Sequence, residues 1–261
     1  MRGKQHRIVG ACLAMVLAAA GCGPGVRTVG ETDVTEPLRV LFIGNSYTYC
    51  HQMPAMIGRL AAAAGDVRPF EYKTVVRGGE TLEGHWKRGE TLAKIREGGW
   101  DVVVLQEQSL RPVQDTARFH EYARLFAAAI EKAGARTCFY LTWAREHTPE
   151  RQPDYNEACL SIARELGAMA APAGIAWQNA RKENPTWPLY AGDRSHPRPL
   201  GAYLTACVFY GTLYGRSPVG LPLGVKADQI EGTALGVEEV THLQTVAWDA
   251  VREARRALGG K

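Results

Sequence analysis

Along most of this 261-residue chain, short runs rich in Val, Ile, Leu and Phe alternate with longer stretches of helical period. Leu38–Ile43, Phe70–Val76, Val102–Leu105, Thr137–Thr142 and Met169–Trp177 read as strands. Between them, Pro54–Ala64, Thr81–Arg96, Thr116–Ala133 and Asp154–Leu166 read as helices, and Pro199 starts another. Strand followed by helix at this spacing means parallel strands joined by right-handed crossovers, with helices on both faces. The strand runs are apolar throughout rather than alternating, as expected when both faces are covered. The expected fold is therefore α/β: a three-layer α/β/α sandwich around a central parallel sheet of about five strands.

The ends of the chain read differently. Arg2, Lys4 and Arg7 precede an apolar run from Ile8 to Ala20, and small residues lead to Gly21-Cys22. A basic start, a short apolar core and small residues describe a secretory leader over 1–21. The small-residue run ending on cysteine resembles a bacterial lipobox, which implies cleavage before Cys22 and lipidation of its thiol; an ordinary signal peptide is the alternative. The run falls short of the ~20 apolar residues that a membrane span needs. Residues 22–37 are rich in Gly, Thr, Glu and Pro and read as a flexible tether. Residues 38–261 form the remaining domain, and about 225 residues suffice for one well-cored α/β unit. Its tail, 237–258, carries Val240, Leu243, Ala247, Val251, Ala254 and Leu258 at helical spacing, an amphipathic helix expected to pack on the domain.

Removing the leader lowers the formal charge from +4 to about +1. No cluster of Lys and Arg with interleaved aromatics remains, so nucleic acid is not an expected partner. Cys50, Cys138, Cys159 and Cys207 lie in the domain, and their spacing leaves open whether they pair or remain buried thiols. No Cys-x-x-Cys or His-Glu-x-x-His pattern occurs, so neither a metal nor another cofactor is expected.

Ligands bind such sheets at the carboxyl ends of the strands. Ser46, Gly78-Gly79 and Gln106 each follow directly on a strand-like run, which puts all three on that edge. Ser46 belongs to Gly44-Asn45-Ser46, and far along the chain stands Asp193-Arg194-Ser195-His196. A serine hydroxyl needs an imidazole to take its proton, and the imidazole needs a carboxylate to hold its tautomer. The spacing of three lets one turn present Asp193 and His196 on the same side. The Gly-x-Ser-x-Gly elbow of α/β-hydrolases is absent, because Thr48 stands where its second glycine belongs.

Gly44-Asn45-Ser46, the pair Gly78-Gly79 and the late Asp-x-x-His together resemble the SGNH (GDSL-like) hydrolases, over roughly residues 38–214. The resemblance implies that Ser46 is the nucleophile, His196 the base and Asp193 the triad acid. It also implies an oxyanion hole made by Ser46, Gly79 and a side-chain amide. Asn45 replaces the aspartate usual beside the nucleophile, a departure also found in divergent branches. The family's Gly-x-Asn-Asp block is replaced by Gln106-Glu107-Gln108-Ser109. Either Gln106 or Gln108 could supply the amide. A comparable Gln-Gly-Glu-Ser stretch in carbohydrate-acetylesterase branches favours Gln106, with strand capping as its structural alternative.

Asn45, Tyr47, His85, Trp86, Gln108, Trp143 and Tyr190 are candidates for the substrate mouth, with packing as the competing role for the aromatic residues and His85. His120 and His242 read as ordinary helix histidines, and His51 points onward into a helix start. The resemblance implies a serine esterase acting on a small acyl ester, with acetyl on a carbohydrate favoured. The protein would be exported and held at a membrane through Cys22, facing the periplasm or the cell surface. A lysophospholipase, lipase or thioesterase is the second enzymatic reading. A glycan-binding lipoprotein without catalysis is the third.

Overall fold

The structure is a computed structural model that describes residues 36–222 and 235–260. The expected leader, Cys22 and most of the tether lie outside the described residues. In chain order the elements are β1 (Leu38–Gly44), α1 (Ser46–Tyr49), α2 (Met53–Ala64), β2 (Phe70–Val76), α3 (Leu82–Arg88), α4 (Glu90–Arg96), β3 (Val102–Leu105) and α5 (Arg111–Gln114). They continue with α6 (Thr116–Lys132), β4 (Arg136–Tyr140), α7 (Gln152–Glu165), β5 (Met169–Ala171), α8 (Ala173–Glu183), α9 (Pro199–Tyr214) and α10 (Val237–Ala257). Five parallel strands form one sheet in the order β2-β1-β3-β4-β5. Helices α2, α8, α9 and α10 pack together on one face, and α3, α4, α6 and α7 on the other. This is the expected three-layer sandwich.

The centre of the sheet follows from its sequence. Val40–Ile43 and Val102–Val104 are fully buried, so each side chain lies under a helix layer whichever face it points to. Burying each such side chain stabilises the fold by roughly 1.5–3 kcal/mol. Strand β2 departs from the expectation of burial on both faces. It lies at the sheet edge, and Glu71 and Lys73 are exposed. Charged residues on an edge strand discourage pairing with another chain.

Three other expectations need correction. The run Met169–Trp177 is a three-residue strand followed by the start of a helix. Pro172 has no N–H to continue the ladder, and Ala173 opens α8. Residues 173–177 are all buried. An apolar run buried all round carries no period that separates helix from strand. The single helix expected over 81–96 is two, α3 and α4, broken at Gly89 with φ +75°. Strand β4 also ends at Tyr140, two residues before the expected Thr142.

Helix α9 is buried from Pro199 to Leu213, and α10 covers part of it. The buried positions of α10 include Leu243, Ala247, Val251 and Ala254, so the amphipathic tail packs on the domain. No described helix is long and apolar enough to cross a membrane.

Candidate active site

Strand β1 ends at Gly44, where the chain turns sharply into α1. Asn45 caps that short helix: its side-chain oxygen accepts from the N–H of Tyr47 at 3.2 Å, and its amide donates to Glu80 O at 3.0 Å. The turn is tight. A Cβ on Gly44 would stand 2.6 Å from Gln106 Oε1 and 2.7 Å from Thr48 Oγ1, so only glycine fits without displacing both. The next residue, Ser46, is half-buried at the carboxyl edge of the sheet.

His196 arrives from the other side of that edge. Its Nδ1 is hydrogen-bonded to Asp193 Oδ2, which leaves Nε2 to accept from the Ser46 hydroxyl at 2.7 Å. The other oxygen of Asp193 accepts from the N–H groups of Ser195 at 3.0 Å and His196 at 2.9 Å. Arg194 between them takes φ +59°, which curls the loop so that Asp193 and His196 meet. Burial alone would raise the Asp193 carboxyl, but the bonds from the His196 side chain and the two N–H groups outweigh it. They hold Asp193 down at about 2.

Neighbours lock both halves of this row. Tyr47 stacks on Trp143 with centroids 4.8 Å apart, and its hydroxyl bonds Ser195 Oγ at 2.6 Å. Trp143 Nε1 donates to Ser195 O at 2.9 Å. His51 does not merely lead into a helix: its Nε2 donates to Pro197 O at 3.0 Å, tying the turn after Ser46 to the loop of His196. His51 and Gln52 both take positive φ to make that turn.

Ser46, Gly78, Gly79, Gln108, Arg145 and His196 line a cleft of about 340 Å³. Gly79 has φ +67°, a conformation that favours glycine, in a turn closed by Glu80 N–H donating to Arg77 O at 3.1 Å. Ser46 stands at the first position of α1, where its N–H has no carbonyl one turn back. Hydroxyl, imidazole and carboxylate in a row, beside backbone N–H groups that border a cleft, can activate a nucleophile and stabilise an oxyanion.

No family model matches the sequence, and no curated protein does. Solved structures do match. A protein from Slackia heliotrinireducens described as an SGNH hydrolase is 27% identical over 68% of this chain and 100% of its own, with TM-score 0.59. The chain belongs to the SGNH hydrolase superfamily. A DUF4886 family protein from Bacteroides uniformis is 19% identical, covering 83% of this chain and 95% of that one at TM-score 0.59. A variant of an acetyl-xylooligosaccharide esterase from Geobacillus is 17% identical, covering 75% of this chain and 100% of that one at TM-score 0.56. These two share the fold.

In this SGNH hydrolase the glutamine block does not work as expected. Gln106 is fully buried and does not border the cleft. Its Oε1 accepts from the N–H of Asn45 at 2.8 Å and from Thr48 Oγ1 at 3.0 Å, and its amide donates to Glu107 O at 2.6 Å. It braces the Ser46 turn, and full burial withholds its second amide hydrogen from the cleft. Gln108 borders the cleft instead. Its Oε1 accepts from Leu110 N–H at 2.8 Å and Arg111 N–H at 3.2 Å, which orients the amide. That amide has only a long 3.4 Å contact to Ser109 Oγ.

Between the two glutamines, Glu107 is buried, a feature its sequence position does not reveal. One oxygen accepts from the N–H of Leu82 at 3.1 Å and of Gln108 at 2.6 Å, joining the start of α3 to the glutamine turn. Burial pushes its carboxyl up to about 7. A carboxyl raised from 4.5 stabilises the fold fully below pH 4.5, and that contribution is lost as pH rises through 7. Stability of the SGNH hydrolase is therefore expected to fall by about 3 kcal/mol over that window. Glu107→Gln keeps an acceptor oxygen and should flatten the slope. Urea unfolding at a series of pH values checks this, and an unchanged slope in the variant would contradict it.

Among the expected mouth residues, Asn45 and Tyr47 border the cleft with Gln108. Four do not. His85 is buried under the turn, its Nε2 donating to Gly44 O at 2.8 Å, and burial lowers its pKa. Trp86 is half-buried, edge-on to Phe126. Trp143 is sandwiched between Tyr47 and Trp177. Tyr190 donates to Ala144 O at 2.7 Å and lines a separate cleft of about 370 Å³. Ser109 and Arg145 line the cleft, and sequence reasoning missed both. The position of Arg145 just beyond β4, on the ligand edge, was the available signal.

All four domain cysteines are free thiols, and burial pushes Cys138 and Cys207 up to about 12. Among the described residues, no three His, Cys, Asp or Glu side chains converge as a metal site.

Proposed function

We propose that this SGNH hydrolase is a serine esterase that removes a small acyl group, favouring acetyl, from a carbohydrate. The observation that carries the reading is the 2.7 Å contact from Ser46 Oγ to an imidazole already bonded to Asp193, at the wall of a cleft. Ser46 Oγ attacks the ester carbonyl as His196 Nε2 takes its proton. The oxyanion is received by the N–H groups of Ser46 and Gly79 and by the Gln108 amide. His196 then protonates the leaving alcohol, and the acyl group stays on Ser46. Water, losing a proton to His196, attacks the acyl-enzyme and releases the acid.

The modest volume of the cleft suits a short acyl chain, and Asn45, Gln108 and Ser109 in its lining suit a hydroxylated alcohol. The acetyl-xylooligosaccharide esterase that shares the fold supports the same substrate class by analogy. The test pairs an acyl-chain series with fluorophosphonate labelling of the mature domain. Acetyl esters should be the best substrates and Ser46 should be labelled. Turnover rising with each methylene into long chains would favour a lipase or thioesterase, and an unlabelled Ser46 would favour a binding protein. The proposal places the enzyme outside the cytoplasmic membrane on a lipid at Cys22. Fractionation of cells carrying Cys22→Ser should then find the chain released from membranes.

A further inference from the structure

Arg145 is a cation in the catalytic cleft without a counter-ion. It lines the same space as Ser46, Gly79 and His196. Its Nε is buried and has no hydrogen-bond partner. No carboxylate of the described residues lies within ion-pairing distance of it. The acid of the site, Asp193, is committed to His196 and two backbone N–H groups. The charge of Arg145 bears instead on the phenols of Tyr47 and Tyr155, both buried and neutral. A donor taken out of water and left unpaired costs free energy, and an anion that pairs with this guanidinium recovers part of that cost.

The backbone on which Arg145 stands is fixed from several sides. Ala144 N–H donates to Gln152 Oε1 at 2.7 Å, Tyr190 donates to Ala144 O, and Glu146 N–H donates to Arg194 O at 3.0 Å. Thr148 N–H donates to Arg145 O itself at 3.0 Å. The guanidinium is thus presented from an anchored turn that also touches the loop of His196. One residue away, Ala144 lines the neighbouring cleft of about 370 Å³, whose charged walls are Arg181, Lys182 and Glu150. Cations prevail there as well. Arg181 also lies over the ring of Tyr190 at 5.1 Å and meets Glu146 at 4.0 Å.

We infer that Arg145 is a specificity residue that receives an anionic group, a carboxylate or a phosphate, carried by the substrate beside the scissile ester. The preferred substrates are then acyl esters of acidic rather than neutral glycans. The inference rests on the esterase reading above and narrows its substrate class. A planar guanidinium binds carboxylate or phosphate through paired charge-assisted bonds, enough for a preference of roughly 10- to 100-fold in kcat/KM.

The experiment compares an O-acetylated glucuronoside as free acid, the same compound as its methyl ester, and an O-acetylated sugar phosphate. Each is assayed with wild type, Arg145→Gln and Arg145→Lys. The wild type should favour the free acid or the phosphate over the methyl ester by that factor. The stronger of the two anionic arms identifies the source. Arg145→Gln should collapse the ratio toward one, and Arg145→Lys should restore part of it. A wild type indifferent to the charge, or a ratio that survives Arg145→Gln, overturns the inference. So does an Arg145→Gln variant that slows all three substrates equally, because an oxyanion donor or a purely structural residue would act that way. Fluorophosphonate labelling of wild-type Ser46 reports separately on the esterase reading.

Discussion

Ser46→Ala should lower ester turnover by roughly 1000-fold or more while leaving the fold intact. The hydroxyl makes one side-chain contact, to His196, and Ser46 is only half-buried. Removing it leaves no cavity in the core and orphans no buried partner, since His196 keeps Asp193 on its other nitrogen. The backbone N–H groups of Ser46 and Gly79 also remain, so some rate above that in water should persist. Stopped assays with an activated acetyl ester, together with the unfolding midpoint, check both halves. Turnover near the wild-type value would refute the nucleophile.

The second large effect separates the two glutamines. Gln108→Ala should reduce kcat by roughly 100- to 1000-fold, the usual loss of one oxyanion donor. Its stability cost should be about 1 kcal/mol, because the lost Oε1 caps the half-buried start of a short helix. Gln106→Leu should do the reverse in kind. It strips the acceptor from Asn45 N–H and Thr48 Oγ1 in a fully buried place, costing roughly 2–5 kcal/mol of stability. Activity would fall too, as the turn bearing Ser46 relaxes. Unfolding curves beside kcat values distinguish the cases. A stable Gln106 variant, or a Gln108 variant at full rate, would reverse the assignment.

The glutamines also mark where reading a sequence loses its grip. Both follow β3 and both carry the right amide, so composition and position favour neither. The turn that buries Gln106 against Asn45 is set by contacts between residues 61 positions apart. The same holds for His51, whose partner Pro197 lies 146 positions away. Residues 173–177 failed for a different reason. Their burial on every side erases the period that would have marked them as helical.

From the chain alone came the parallel sheet, because apolar strand runs separated by helix-length segments admit few other arrangements. The pieces of the nucleophilic row were also visible, since a strand-end serine and an Asp-x-x-His turn are local patterns. Tertiary structure alone decided which side chains face the cleft, which buried acid lies behind it, and that Arg145 stands there unpaired. Those outcomes depend on how distant turns pack against one another, and side-chain direction at a turn is fixed by that packing rather than by local order.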